Sequence, residues 1–209
     1  MVAPRQRHLL IATRNTHKTA EFVRLLHPHF TVRDLTSTAE LPEIEESGST
    51  FEENATLKAV GISRLVPEEV VLADDSGLEV RALGGAPGVR SARYAGTAAT
   101  DFQNVEKLLR ELRTCGATRP AQRQAQFRCV LVLAKDGAVL HVVEGTVMGS
   151  IAETAAGSGG FGYDPVFIPT GYSTTFAELP AGTKNQISHR ARAAAELMRW
   201  LAAEPGVSP

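Results

Sequence analysis

Residues 71–80, Val-Leu-Ala-Asp-Asp-Ser-Gly-Leu-Glu-Val, constrain this chain more than any other stretch. The apolar run 70–73 reads as a buried strand that ends in two adjacent acids, Asp74 and Asp75, with Ser76 and Gly77 directly behind them. Carboxylates at the end of a strand are fixed in place yet open outward, a setting in which a divalent cation and an attacking water can be held. Gly84-Gly85-Ala86-Pro87-Gly88 then make a tight turn, and Arg90 and Arg93 follow in a segment of small residues. Acids for a metal and basic groups for an anion, close together in sequence, point to a phosphorylated substrate. Asp-Asp-Ser-Gly is also good turn chemistry, because Asp and Ser bond their own backbone and Gly accepts positive φ. On this stretch alone both readings stay open.

The rest of the chain narrows them. A length of 209 residues allows one good-sized domain, or two small lobes, with a substantial core. The net charge is −1, and Lys and Arg are spread along the sequence. No basic face argues for duplex DNA or RNA, so any anion site is local and no nucleic-acid partner is expected. Cys115 and Cys129, the only cysteines, form no CxxC pair and suit a reducing compartment. The apolar run 9–12 is too short for a signal peptide or a membrane span. A soluble cytoplasmic protein with no membrane partner is expected.

Residues 8–13 read as a first buried strand, 14–17 as a loop, and 18–26 as a helix with Phe22, Leu25 and Leu26 on one face. A helix start offers free N–H groups and partial positive charge, so it can hold phosphate oxygens; Lys18 adds a full charge and Asn15 a donor. The plainer reading is that Asn15 or Thr16 caps the helix, since the stretch lacks the glycines of a Walker loop. Residues 30–35 suggest a second strand. Residues 40–49 are acidic, and Thr50-Phe51-Glu52-Glu53 fits a capping box that opens a helix to about Leu65, packed through Ala55, Ala59 and Ile62. These acids are either a solvated helix approach, or one of them, Glu46, reaches a metal held by the Asp pair. Thr100 to Gln103 opens another helix, whose core stripe is Phe102, Val105, Leu108, Leu109 and Leu112. Residues 114–124 read as a polar surface loop. Residues 126–134 and 138–151 form a hairpin about Asp136-Gly137.

Residues 155–165 are rich in glycine, with Phe161, Tyr163 and Asp164 among them. Glycines around an aromatic ring suit a base-stacking wall; the alternative is a flexible loop with a core Phe. A short strand is expected at 166–168. Ser188 looks like the cap of a helix from His189 to about Ala203. That cap places His189 and Arg190 in the first turn, where the helix dipole disfavours cations unless a polar ligand sits there, so the local misfit points to function. Lys184 is close by.

Taken together, these residues closely resemble the inosine triphosphate pyrophosphatase family, also called XTP/dITP diphosphatases. The matching stretches are 12–18 (Ala-Thr-Arg-Asn-Thr-His-Lys), 45–55, 73–96, 157–165 and 187–190 (Ile-Ser-His-Arg), in this order across about residues 8–203. The resemblance implies an α/β fold: a long, mixed, twisted central sheet flanked by helices. It implies a single domain of two lobes with a nucleotide-binding cleft between them, with loose tails at 1–7 and 204–209. It also implies a homodimer, and Mg2+-dependent hydrolysis of the purine nucleoside triphosphates dITP, ITP and XTP to the monophosphate and pyrophosphate, which prevents their incorporation into DNA and RNA. Carried over by position, Thr13, Arg14, Asn15, Thr16, His17 and Lys18 contact the substrate. Asp75 is the implied base and a metal ligand, with Glu46 as second ligand. Ser76, Phe161, Gly162, Tyr163, Asp164, Lys184, His189 and Arg190 bind the nucleotide. Three competing functions are a related pyrophosphatase for other modified nucleotides, a non-catalytic nucleotide sensor, and a single-strand binder using Phe161 and Arg90.

Overall fold

Leu9, Leu10 and Ile11 are each at most 1% exposed, because β1 (Arg7–Ile11) runs between two parallel neighbours. A strand in that position loses its solvated face and needs a continuous apolar run, which these residues supply. The computed structural model describes residues 7–38 and 40–203. In it β1 pairs with β2 (Phe30–Asp34), Leu9 opposite Val32, and with β3 (Val71–Val80), Leu10 opposite Val71. The sheet has six strands in the order β2-β1-β3-β4-β5-β6, where β4 is Gln124–Lys135, β5 Ala138–Ile151 and β6 Phe167–Pro169. β6 is antiparallel to β5, so the sheet is mixed, as expected. Asp136 and Gly137 join β4 to β5 with φ of 48° and 74°, the left-handed pair that a tight two-residue turn requires.

Among the described residues, five α-helices flank the sheet: α1 (Thr16–Leu26), α2 (Phe51–Leu65), α3 (Asp101–Thr114), α4 (Ala181–Ile187) and α5 (His189–Ala203). Local sequence sets their starts. Thr50 Oγ1 accepts from Glu53 N at 3.1 Å while Glu53 Oε2 accepts from Thr50 N at 3.2 Å, and Thr100 and Gln103 repeat the exchange for α3. Each such cap contributes about 1 kcal/mol.

The chain divides into two units, residues 1–75, 130–145 and 191–209, and residues 76–129 and 146–190. The first holds a core of β1, Phe22 and Leu26 of α1, Ala55, Ala59 and Ile62 of α2, residues 130–134, and Ala194, Leu197 and Leu201 of α5. The second is built round Leu78, Val80, the α3 stripe and an aromatic group in which the rings of Phe127 and Phe167 lie 4.6 Å apart and those of Phe167 and Phe176 5.2 Å apart.

Several expectations are corrected. β3 does not stop at the acids: it continues through Asp74-Asp75-Ser76-Gly77 to Val80, so neither the strand-end nor the turn reading holds. Phe102 is 72% exposed and outside the α3 core, because it falls in the first turn, before the stripe begins at Val105. Residues 114–124 are not simply a surface loop. Arg123 is buried there and donates from Nε to Ile151 O at 2.7 Å, from Nη1 to Ala117 O at 2.9 Å and from Nη2 to Ala152 O at 2.6 Å. The short strand begins at Phe167 rather than 166, and α4 was not anticipated. The expected tails, 1–7 and 204–209, lie outside the described residues except Arg7, which opens β1 opposite Phe30. Among the described residues, no helix is long and apolar enough to cross a membrane.

Candidate functional site

Successive residues on a strand point to opposite faces, so two adjacent acids cannot present their carboxylates to one point. That is what happens at the centre of β3. The Asp74 carboxylate forms an ion pair with Lys18, in the first turn of α1. Asp75 Oδ1 lies 3.8 Å from Lys58 Nζ, and Glu46 Oε1 lies 2.6 Å from the same nitrogen, which also donates to Asp74 O at 2.7 Å. The expected trio of acids is therefore a pair. Glu46 and Asp75 converge on one positive group, and Asp74 is turned to another. Among the described residues, no three or more His, Cys, Asp or Glu side chains are grouped to hold a metal ion.

Electrostatics follow from burial. Burial pushes the Asp75 carboxyl up, and the negative Glu46 and Asp74 add to this; Lys58 and Lys18 oppose it, leaving a value of about 6. For Lys58, burial works against the charged form, but the charges of Asp75, Glu46 and Asp74 outweigh it and raise the ammonium above its ordinary value. The site carries three carboxylates against two ammonium groups, with the charges spread over β3, α1, α2 and the segment before α2.

Lys58 was missed by the sequence reading. The signal was present: Phe51, Asn54, Ala55, Lys58, Ala59, Ile62 and Ser63 form the buried face of α2 at helical spacing. A lysine in such a stripe is seldom fully buried unless it is paired.

The start of α1 matches the plainer reading of its turn. Asn15 is the cap, its side-chain oxygen accepting from His17 N at 3.0 Å and Lys18 N at 3.2 Å, and Thr13 Oγ1 accepts from Asn15 N at 3.1 Å. Thr16 and His17 form the exposed first turn. Arg14 donates to Leu35 O at 2.7 Å and Leu41 O at 2.6 Å, so it also ties the loop after β2 to this turn.

In the second unit, the glycine-rich segment is a held structure rather than a slack loop. Asp164 Oδ2 accepts from Phe161 N at 2.9 Å and from Lys184 Nζ at 2.5 Å. Tyr163 donates its hydroxyl to Ser91 O at 2.8 Å, and burial raises the pKa of that phenol. Gly160 and Gly162, on either side of Phe161, have φ of 73° and 62°, which side-chain-bearing residues rarely adopt. Lys184 Nζ lies 5.0 Å from the centre of the Phe161 ring and the Arg190 guanidinium 5.9 Å. Arg190 is 1% exposed and donates from Nη2 to Ser76 Oγ at 2.9 Å. The His189 ring stacks on Phe127, 4.7 Å away and 11° from parallel. This unit thus gathers Ser76, Phe161, Gly162, Tyr163, Asp164, Lys184, His189 and Arg190. The first unit gathers the α1 turn, Glu46, Lys58, Asp74 and Asp75.

The description "Ham1 family" belongs to the family model that matches residues 9–200. The chain is 47% identical over 196 residues to the dITP/XTP pyrophosphatase of Bacillus licheniformis, covering 93% of this chain and 98% of that protein. It is 47% identical over 195 residues to the dITP/XTP pyrophosphatase of Bacillus subtilis, covering 93% and 96%. Among solved structures, the Ham1 protein of Staphylococcus aureus superimposes with a TM-score of 0.82 at 40% identity, covering 95% of this chain and 100% of that one. A HAM1 protein from Coxiella burnetii gives 0.84 at 39% identity, with the same coverage.

Proposed function

The chain belongs to the Ham1 family, and on that premise we propose that it is a nucleoside triphosphate pyrophosphatase that hydrolyses dITP, XTP and ITP to the monophosphate and pyrophosphate, in the cytoplasm and as a homodimer. The observation that carries this reading is the convergence of Glu46 and Asp75 on a single cationic point. Mg2+ usually binds through one or two carboxylates plus substrate phosphates and keeps several waters, so a two-carboxylate set fits it better than a closed cage would. We assign Glu46 and Asp75 as its ligands. When bound, the ion supplies charge neutralisation at the triphosphate.

The protein's own groups do the rest. A water oxygen attacks the α-phosphorus, the bond from that phosphorus to the bridging oxygen breaks, and the electron pair leaves with pyrophosphate. The water proton passes to a carboxylate, Asp75 in this assignment, a role worth about 10²–10⁴-fold in rate. Lys18 and Lys58, with the positive end of the α1 dipole, stabilise negative charge on the phosphates.

In this reading the residues gathered in the first unit serve the triphosphate and those gathered in the second serve the purine. Phe161 stacks on the base. Lys184 and Arg190 direct donors at O6. Hypoxanthine and xanthine carry an acceptor there, whereas adenine carries an amino group and would leave a buried donor unpaired, at about 1–3 kcal/mol each.

The test is pyrophosphate release from dITP, XTP, ITP, dATP and dGTP, with Mg2+ and with chelator. The expected result is turnover of the first three, abolished by chelation and restored by Mg2+. Equal kcat/KM for dATP and dITP would defeat the selectivity assignment. Turnover that survives chelation would defeat the metal assignment.

A further inference from the structure

The amide of Gly162 is bound by a side chain from a distant element. Asp101, the first residue of α3, accepts from Gly162 N through Oδ2 at 2.6 Å, 61 positions away in sequence. The preceding amide, Phe161 N, is held by Asp164 at 2.9 Å. The two peptide units that orient the Phe161 ring are therefore each held by a carboxylate, one inside the loop and one outside it. Carboxylate-to-amide bonds are among the stronger hydrogen bonds available to a backbone. The capping box of α3 closes without this acid, through Thr100 and Gln103. Asp101 is exposed, and its neighbour Phe102 is 72% exposed, so no core packing rests on this corner.

We propose that Asp101 is a positioning residue for base recognition: through the Gly162 amide it fixes the Phe161 ring in the orientation on which the purine stacks, beside Lys184 and Arg190, without touching the substrate. This rests on the reading of Phe161 as the stacking residue.

The experiment is steady-state kinetics of Asp101→Ala and Asp101→Asn on dITP and dATP, with a thermal midpoint for each variant. Asp101→Ala is expected to raise KM for dITP about tenfold and to lower the dITP-to-dATP ratio of kcat/KM by a similar factor, with kcat within about twofold. Asp101→Asn, which keeps an acceptor oxygen in the same place, recovers most of both. A role confined to the stability of α3 would scale both substrates by the same active fraction and leave KM and the ratio unchanged; that outcome in Asp101→Ala overturns the proposal, and so does a loss in Asp101→Asn as large as that in Asp101→Ala. The wild type is run in the same series. Failure of the wild type to hydrolyse dITP removes the functional reading and this inference together. Wild-type hydrolysis with an unmoved KM in Asp101→Ala removes this inference alone.

Discussion

Nζ of Lys58 lies 2.6 Å from Oε1 of Glu46, a bond between the buried face of α2 and the acidic segment that leads into it. The same nitrogen faces Asp75 at 3.8 Å. Replacing Lys58 with Met keeps much of the side-chain volume but leaves two acids without their shared countercharge. The expected result is a fall in kcat/KM for dITP of about 10²-fold, as for loss of a charge-stabilising donor, with the thermal midpoint lowered. Pyrophosphate release and thermal denaturation measure the two effects. Unchanged turnover would mean that Lys58 serves the fold only.

Asp75→Asn keeps shape and removes charge. Turnover of dITP is expected to fall by about 10²–10⁴-fold while the Kd for the nucleotide changes by less than about tenfold. A near-normal kcat in this variant would reject Asp75 as the proton acceptor.

The displaced pKa of Asp75 also gives stability a pH dependence. The folded carboxyl titrates at about 6 and the unfolded one near its ordinary 3.8. Between these values the folded state holds a proton that the unfolded state has lost, so stability falls as pH rises through that window and levels off above about 6. In chelator, this contribution is on the order of 1–3 kcal/mol. Thermal midpoints from pH 4 to pH 7.5 measure it, and Asp75→Asn should flatten that part of the curve.

Arg190 contacts Ser76 Oγ at 2.9 Å and is buried. Lysine keeps the charge but loses the planar fork. Arg190→Lys is expected to lower kcat/KM for dITP by about 10–100-fold, chiefly through KM. A KM equal to that of the wild type would separate Arg190 from purine binding.

What could be read from sequence was what local chemistry encodes. The continuous run Leu9-Leu10-Ile11, the capping box at Thr50, the helix start at Thr100, the Asp136-Gly137 turn and the start of α5 after Ser188 are each specified within a few residues, and each stands where it was expected. What escaped was set by partners far along the chain. Nothing near Asp74 and Asp75 says that β3 will pair onward past them, because that depends on its neighbours in the sheet. Arg123 is buried because carbonyls from 117, 151 and 152 come to meet it. Of the candidate site, residue identities were largely legible, but the way charges are shared was not. That Asp74 goes to Lys18, while Asp75 and Glu46 share Lys58, follows from strand alternation together with a helix face that only the fold brings near.

The backbone beside Phe161 bears on any attempt to redesign base preference. A side chain at Gly157 would run into the Ala177 carbonyl, and one at Gly160 into the Asp164 carboxylate that Lys184 depends on, and both glycines hold positive φ. Combinatorial libraries that randomise these positions would yield mostly inactive clones. New specificities are more accessible through Lys184, His189 and the anchoring contacts around the loop, with its main-chain path left untouched.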